Sequence, residues 1–255
     1  MLDQLPLLLT GFVASFFSAL AGGGAGLVQF PALIALGLPF TLAITTHKVA
    51  VVALGVGSAG KLLRRFKFDW RLIGLMLAVG VPGLVIGNLS SLVIPPAPGK
   101  VLFGVTNIAM ALYSILKPDF GVIAAPRNRE GRGLWIGAGL MSIVGFLCGV
   151  FPSGPGLFAT LVFLRWFGFD YQAAVASTML MVALVWNSIA GVTVALAAPV
   201  RWDWIPALAI GGVLGGYLGS SLALLKGNRF IKRAFETVTL LMGAWLLLQG
   251  LETWQ

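Results

Sequence analysis

The chain has 255 residues, of which 58% are hydrophobic and only 10% are charged, and its mean hydropathy is +0.98. Soluble globular domains carry about a quarter charged residues, so this composition excludes a water-soluble globule. The formal net charge of +9 has a simple explanation, because Lys and Arg collect on membrane-protein loops that face anionic lipid headgroups. The sequence therefore predicts an integral protein of the lipid bilayer with no nucleic-acid partner.

Long apolar runs without alternation predict an all-α polytopic membrane protein, since backbone groups in a bilayer core must bond within a helix or a closed barrel. The second and seventh runs are short, and reach about two-thirds of a roughly 30 Å core. The predicted segments lie near residues 5–20, 26–38, 41–62, 71–94, 101–117, 133–150, 156–168, 171–197, 203–225 and 230–250.

An internal duplication divides the chain. The first copy reads AGGGAGLVQFPALIALGLPFTLAITTHKVAVV, and the second, which begins at residue 152, reads PSGPGLFATLVFLRWFGFDYQAAVASTMLMVAL. Duplicated, glycine-broken apolar units are typical of membrane carriers. The pattern predicts an N-terminal repeat over 1–120, a cytoplasmic linker over 121–132 and a C-terminal repeat over 133–255.

The orientation of the two repeats depends on the two short segments. If they cross the membrane, each half has five passes and the repeats are inverted; if they are re-entrant hairpins, each half has four passes and the repeats run parallel. The ten-pass arrangement places all three clusters of basic residues on one face, as the positive-inside rule requires. The charge pattern therefore favours five plus five inverted segments, with short glycine-broken helices near the centre.

Polar residues at membrane depth are the candidates for function, because each is unfavourable there unless it is paired or serves a pathway. Lys48 and His47 follow Thr45 and Thr46 inside an apolar helix, whereas every acidic residue lies in a loop or within about two turns of a span's end. A positive centre without carboxylates suits an anionic substrate. Two structural alternatives stay open: Lys48 extends to a membrane interface, or His47 is a core residue bonded to a backbone carbonyl.

Glycine-rich breaks supply a second set of donors. They allow backbone N–H groups to converge at the start of a following helix, where the helix dipole favours anions. The alternative is that these glycines only permit a tight turn or close helix packing. The predicted contributors are Gly22, Gly23 and Gly24 in the first half, and Ser153, Gly154 and Gly156 in the second. Further candidate donors are Gln29, Ser177, Thr178 and Asn187. The sequence predicts no catalytic residue, metal site or cofactor.

These motifs carry a family resemblance. The stretch AGGGAGLVQFP, the TTHK segment at 45–48, and GVFPSGPGLF with the AST segment at 176–178 resemble the TauE/SafE sulfite-exporter family. Many members read Thr-Asn-Lys where this chain has His47. The resemblance implies export of a sulfur-containing anion, such as sulfite or an organosulfonate like sulfoacetate, across the bacterial inner membrane. It also implies a transporter rather than an enzyme.

The predicted mechanism is alternating access around a central anion site. Two other functions remain open, an anion channel and a non-transporting membrane scaffold. A stripe of small residues, Gly211, Gly215 and Gly219, predicts close helix packing, either against the other half or against a second protomer in a homodimer.

Overall fold

A computed structural model describes residues 4–91, 97–117, 119–151 and 154–252. Within these ranges the ordered elements are all helices, which confirms the predicted all-α fold. Ten helical segments follow one another: α1 (Leu5–Ala21), α2 (Ala25–Ala35), α3 (Phe40–Arg65), α4 (Trp70–Ser90), α5 (Ala97–Leu116), α6 (Gly131–Val150), α7 (Pro155–Trp166), α8 (Tyr171–Ala197), α9 (Trp202–Lys226) and α10 (Asn228–Glu252). In the described part of the chain, six of them are long and apolar enough to cross a membrane: α3, α4, α6, α8, α9 and α10.

Two helices are short and two are irregular. Helix α2 has 11 residues, or about 16 Å, and α7 has seven α-helical residues followed by a five-residue π-helical turn. Helix α3 is interrupted at Val51, and α8 contains a π-helical stretch over Met179–Trp186. Because π-helical stretches are rare and frequently mark functional sites, α7 and α8 are candidate site helices, and the interruption of α3 at Val51 is a third irregularity.

The most extensive helix contacts join the two halves of the sequence. Helix α1 packs along α9, α4 along α6, and α5 along α10. In the internal duplication α1 corresponds to α6, and α4 corresponds to α9. The α1–α9 pair is therefore equivalent to the α6–α4 pair. The helices of the two halves are therefore interleaved. The longest interfaces of each half are formed with helices of the other half.

The small-residue stripe of α9 faces α1. A Cβ atom on Gly211 would lie 2.1 Å from the carbonyl oxygen of Leu8, and one on Gly215 would lie 2.2 Å from that of Phe12. Such approach is possible only without a side chain, as in small-xxx-small packing. The stripe therefore packs against the first half of the same chain.

Hydrogen bonds fix the linker to the second half. The N–H of Ala125 donates to the carbonyl of Gly168 at 2.8 Å, and Asn128 Nδ2 donates to the carbonyl of Trp166 at 2.9 Å. A Cβ atom on Gly168 would collide with the Ala125 carbonyl, so the two segments lie in backbone contact. The linker thus has a defined position over the loop that follows α7.

A buried polar cluster ties α5, α8 and α10 together. Lys232 Nζ donates to Glu236 Oε1 at 2.6 Å, Ser114 Oγ donates to the same oxygen at 2.8 Å, and Ser114 Oγ lies 2.9 Å from the Tyr171 hydroxyl. Glu236 lies about two turns into α10, as the sequence predicts for the acidic residues, but its side chain is only 14% exposed. The charges are therefore balanced within the bundle.

Candidate anion-binding site

A cavity of about 60 Å³ lies where the two glycine-rich breaks meet α3 and α8. It collects residues that are far apart in sequence. The predicted site residues that line it are Gly23, Gly24, His47, Lys48, Gly154, Gly156, Thr178 and Asn187. Both irregular helices contribute to the wall, with Val51 from the interruption of α3 and Met179 from the π-helical stretch of α8. The sequence-predicted elements therefore converge on one space.

The two glycine breaks are in direct backbone contact. A Cβ atom on Gly23 would lie 2.6 Å from the nitrogen of Leu157 and 2.7 Å from the carbonyl carbon of Gly156. Gly23 also has φ of +151°, a backbone conformation that residues with a side chain rarely adopt. Close approach and backbone conformation both require glycine here. Gly23 therefore serves close packing, as the alternative interpretation of the sequence has it, and it also forms part of the cavity wall.

The start of α2 lies against the cavity. The first N–H groups of a helix have no partner within the helix, and Gly24, Ala25 and Gly26 at the start of α2 line the cavity. The helix dipole adds roughly half a positive charge at that end. This end of α2 is therefore suited to an anionic group.

Ser18, near the end of α1, adds a hydroxyl group. It lines the same cavity, it is 2% exposed, and its Oγ atom has no hydrogen-bond partner among the described residues. A buried hydroxyl without a partner is unfavourable by about 1–3 kcal/mol. A ligand or a water in the cavity would remove this penalty.

Lys48 supplies the charge of the site. It is 4% exposed, and its Nζ atom donates to Asn88 Oδ1, to the carbonyl of Gly149 and, at 3.3 Å, to Ser91 Oγ. Lys48 is therefore buried among protein groups, and its partners lie in the last turns of α4 and α6. Within the described ranges no carboxylate pairs with it, so its positive charge is solvated only by neutral oxygens.

Asn88 holds the ammonium group in place. It is fully buried, and while Oδ1 accepts from Lys48, Nδ2 donates to the carbonyl of Ala190 at 2.9 Å. One side chain of α4 thereby connects α3 with α8. The position of the Lys48 charge is set by this link and by the Gly149 carbonyl on α6.

Thr45 and Thr46 face away from the cavity. Thr45 Oγ1 donates to the carbonyl of Pro199 at 2.6 Å, and Thr46 Oγ1 accepts from the N–H of Arg201 at 3.0 Å. Both contacts attach α3 to the loop between α8 and α9. The two hydroxyl groups are thus placed to support the helix that carries Lys48.

His47 lines the cavity and is oriented by Gln29. His47 Nδ1 lies 2.9 Å from Gln29 Oε1, and because an amide oxygen only accepts, the imidazole donates from Nδ1. Gln29 is 2% exposed and lies behind the histidine rather than in the cavity wall. The described partner of Nδ1 is therefore a side-chain amide.

Two further predicted residues lie elsewhere. Gly22 packs on Thr160, whose Oγ1 donates to the Gly22 carbonyl at 2.8 Å. Ser177 Oγ donates to the carbonyl of Ala173 at 2.8 Å and faces a second cavity. Ser153 lies outside the described residues.

Comparison with known proteins identifies the family. The family model for the sulfite exporter TauE/SafE matches residues 7–246. The chain belongs to this family. This confirms the resemblance drawn from the glycine-rich and TTHK motifs.

Relatives of this TauE/SafE chain match it over nearly its whole length. A "Probable membrane transporter protein" of Haemophilus influenzae is 28% identical over 246 residues, covering 95% of this chain and 94% of the relative. "Probable membrane transporter protein ORF9" of a Sinorhizobium species is 29% identical over 94% of this chain and 91% of its own. "Probable membrane transporter protein YunE" of Bacillus subtilis is 26% identical over 96% and 97%. No solved structure matches the chain. The family and these relatives are membrane transporters, not enzymes, as the sequence predicts.

Two residues of the candidate site are absent from the sequence prediction. Ser18 and Asn88 are polar residues near the ends of apolar runs, a pattern that does not distinguish a packing residue from a ligand-binding residue. The available signal for Asn88, in the last turn of α4, was that an amide within an apolar span needs a polar partner. Its partner, Lys48, lies 40 residues away.

Proposed function

We propose that this chain is a secondary transporter that exports a small sulfur-containing anion across the bacterial cytoplasmic membrane. Sulfite is the first candidate and an organosulfonate such as sulfoacetate the second. Membership of a family described as sulfite exporters supports the substrate class. The transporter relatives and the six long apolar helices support a multi-pass location in the membrane.

The observation that carries the proposal is the buried, carboxylate-free charge of Lys48. An ammonium group in a low-dielectric interior is unfavourable unless an opposite charge is nearby. Among the described residues none supplies that charge, and the start of α2 adds positive potential on the same cavity. An anion in the cavity would balance both the charge of Lys48 and the positive potential at the start of α2.

The residues have different roles in this proposal. Lys48 attracts the anion by charge while its N–H groups remain bonded to Asn88 and Gly149. The hydrogen bonds to the anion come from the start of α2, the glycine break at Gly156 and side chains of the cavity wall. Those side chains are Ser18, Thr178 and Asn187. His47 lines the same wall while its Nδ1–H donates to Gln29. Thr45, Thr46 and Gln29 support α3 and the histidine from behind.

The size of the cavity favours the smaller substrates. On the scale of about 10–15 Å³ per water, a volume of about 60 Å³ holds a few waters, which suits a compact oxyanion such as sulfite. Sulfoacetate carries an additional carboxymethyl group and requires the cavity to widen. We therefore place sulfite before sulfoacetate.

Alternating access in this chain would move groups of helices drawn from both halves. A motion of one sequence half against the other would separate α1 from α9 and α4 from α6, which are the most extensive contacts. The interruption of α3 at Val51 and the π-helical stretch of α8 adjoin the cavity and offer places to bend. We propose these two irregularities as the hinges.

Counterflow in liposomes tests the function. Reconstituted protein, preloaded with unlabelled anion, is offered labelled sulfite or sulfoacetate. The expected result is saturable exchange that falls at least tenfold in Lys48→Met and stays normal in Lys226→Met, which removes an exposed lysine at the end of α9. Non-saturating flux without counterflow would instead establish a channel. No flux and no anion binding would point to a scaffold, and unchanged exchange in Lys48→Met would refute the assigned site.

A further inference from the structure

A second cavity, of about 140 Å³, lies beneath the linker. The loop after α3, the linker and the beginning of α8 enclose it. Its polar and aromatic lining includes Lys67, Asp69, Arg129, Phe169, Asp170 and Ser177. Ser177 was predicted for the central site, and its side chain is found here instead.

Arg129 is held in the lining with its Nε donor unpaired among the described residues. The backbone contacts of the linker fix its position, and its guanidinium group stacks at 4.5 Å over the Phe169 ring. Its Nε atom is buried without a hydrogen-bond partner in the part of the chain that the structure describes. Buried donors are nearly always paired, so an unpaired one indicates a missing water or ion.

The acidic residues of the lining are engaged elsewhere. Asp69 Oδ1 accepts from the N–H of Leu72 at 3.1 Å, and Asp170 Oδ1 accepts from the N–H of Ala173 at 2.8 Å. Both are helix caps whose charge faces the positive end of a helix dipole. In the described residues neither forms an ion pair with Arg129 or Lys67. The two basic groups therefore remain open to a ligand.

The two cavities lie on either side of α8. Ser177 lines the cavity beneath the linker, and the next residue, Thr178, lines the central cavity. Successive residues of a helix point about 100° apart, so the two cavities adjoin different sides of the same turn of α8.

We propose that the cavity beneath the linker is a second binding site for a small oxyanion, held by Arg129 and Lys67. The Arg129 guanidinium offers a planar fork of donors that matches two oxygens of one oxyanion. A role for this site in holding the substrate before or after transport rests on the proposed function. The binding of a small oxyanion to the cavity does not depend on that function.

A cysteine placed in the lining reports on this site. Ala173 lines the cavity and contributes only its backbone N–H to the cap, so we use Ala173→Cys in a Cys148→Ser background, which removes the single native cysteine. The probes are an anionic and a cationic methanethiosulfonate of similar size. The expected result is that the anionic reagent reacts about tenfold faster and that inorganic sulfate slows it.

Variants of the linker give the matched comparison. Arg129→Gln should abolish both the charge preference and the protection by sulfate, Arg129→Lys should keep part of each, and Arg132→Gln, an exposed linker arginine outside the lining, should change neither. As a second measurement, calorimetric titration of purified protein with sulfate should lose one binding event in Arg129→Gln. The other event should be lost in Lys48→Met.

The outcomes separate this inference from the proposed function. Lys48-dependent counterflow without charge preference or sulfate protection at Ala173→Cys would overturn the second site and leave the transporter standing. If sulfate protects the cysteine at position 173 but no counterflow is observed, the second binding site stands and its role in transport does not. Protection by added phosphatidylglycerol but not by sulfate would assign the cavity to a lipid headgroup and overturn the proposal.

Discussion

Gly23 and Gly156 touch backbone to backbone, so that the glycine break of each half closes against the other at the edge of the central cavity. A Cβ atom on Gly156 would lie 3.2 Å from the Cα atom of Gly23, a tight contact, whereas one on Gly23 would lie only 2.6 Å from the Leu157 nitrogen. The contact is therefore more restrictive on the Gly23 side.

This asymmetry predicts a graded response to alanine. Gly23→Ala, which combines a backbone collision with a positive φ, should destabilise the protein by about 2–4 kcal/mol and stop transport. Gly156→Ala should have a smaller effect, and Gly74→Ala, on an open face of α4, should be neutral or better. Thermal unfolding in detergent gives the order, and equal melting of the Gly23 and Gly74 variants would contradict the contact.

Asn88→Asp should weaken anion binding. The aspartate keeps an acceptor for Lys48 but adds the carboxylate that this site lacks, so the positive charge is cancelled inside the protein. We expect the affinity for sulfite to fall at least tenfold, measured by counterflow. The variant also loses the Nδ2 donor to the Ala190 carbonyl, so we expect a loss of stability of about 1–3 kcal/mol. Unaltered affinity would mean that the Lys48 charge does not act on the substrate.

Ser18→Ala should weaken substrate binding and leave the fold at least as stable. Its hydroxyl has no partner in the described structure, so removing it relieves the free-energy penalty of an unpaired buried group when no anion is bound. When the anion is bound, the variant lacks one hydrogen bond to it. We expect the KM of transport to rise about three- to tenfold. Ser15→Ala, one turn earlier on α1 and outside the cavity lining, is the control. Equal KM values for the two variants would remove Ser18 from the site.

The Lys232–Glu236 pair should behave as a structural unit. Glu236→Gln leaves the mostly buried ammonium of Lys232 without its counter-charge and should lower stability by about 3 kcal/mol. The double variant Lys232→Met with Glu236→Leu should recover most of that loss. Arg201→Gln, which breaks an exposed pair with Asp203, should cost less than about 1 kcal/mol. If Glu236→Gln melts like wild type, the cluster does not hold α5 and α10 together.

The sequence located the helices well because their boundaries depend on local features. The predicted short segments at 26–38 and 156–168 correspond to α2 and α7, whose starts are fixed by glycines and whose apolar runs are bounded by polar turns. The duplication also predicted that the glycine breaks lie close to Lys48. The short helices and this proximity could both be predicted from the pattern along the chain alone.

The direction in which a side chain points did not follow from that pattern. Thr46 and Lys48 are two residues apart on one helix, yet Thr46 contacts the loop at Arg201 while Lys48 reaches the Gly149 carbonyl, 101 residues away. These contacts depend on how α3 is rotated against α6 and α8. An apolar run on all sides of a helix carries no information about that rotation.

The pairing of α1 with α9 has a consequence for biosynthesis. Helix α1 leaves the ribosome well before α9, and the glycine stripe that it packs against is made about 190 residues later. At about 5–20 residues per second, α1 waits on the order of ten seconds or longer among lipids before its partner arrives. Nascent chains truncated before α9 should therefore keep α1 open to cross-linking by lipid or by the insertion machinery, and release it when Gly219 has emerged.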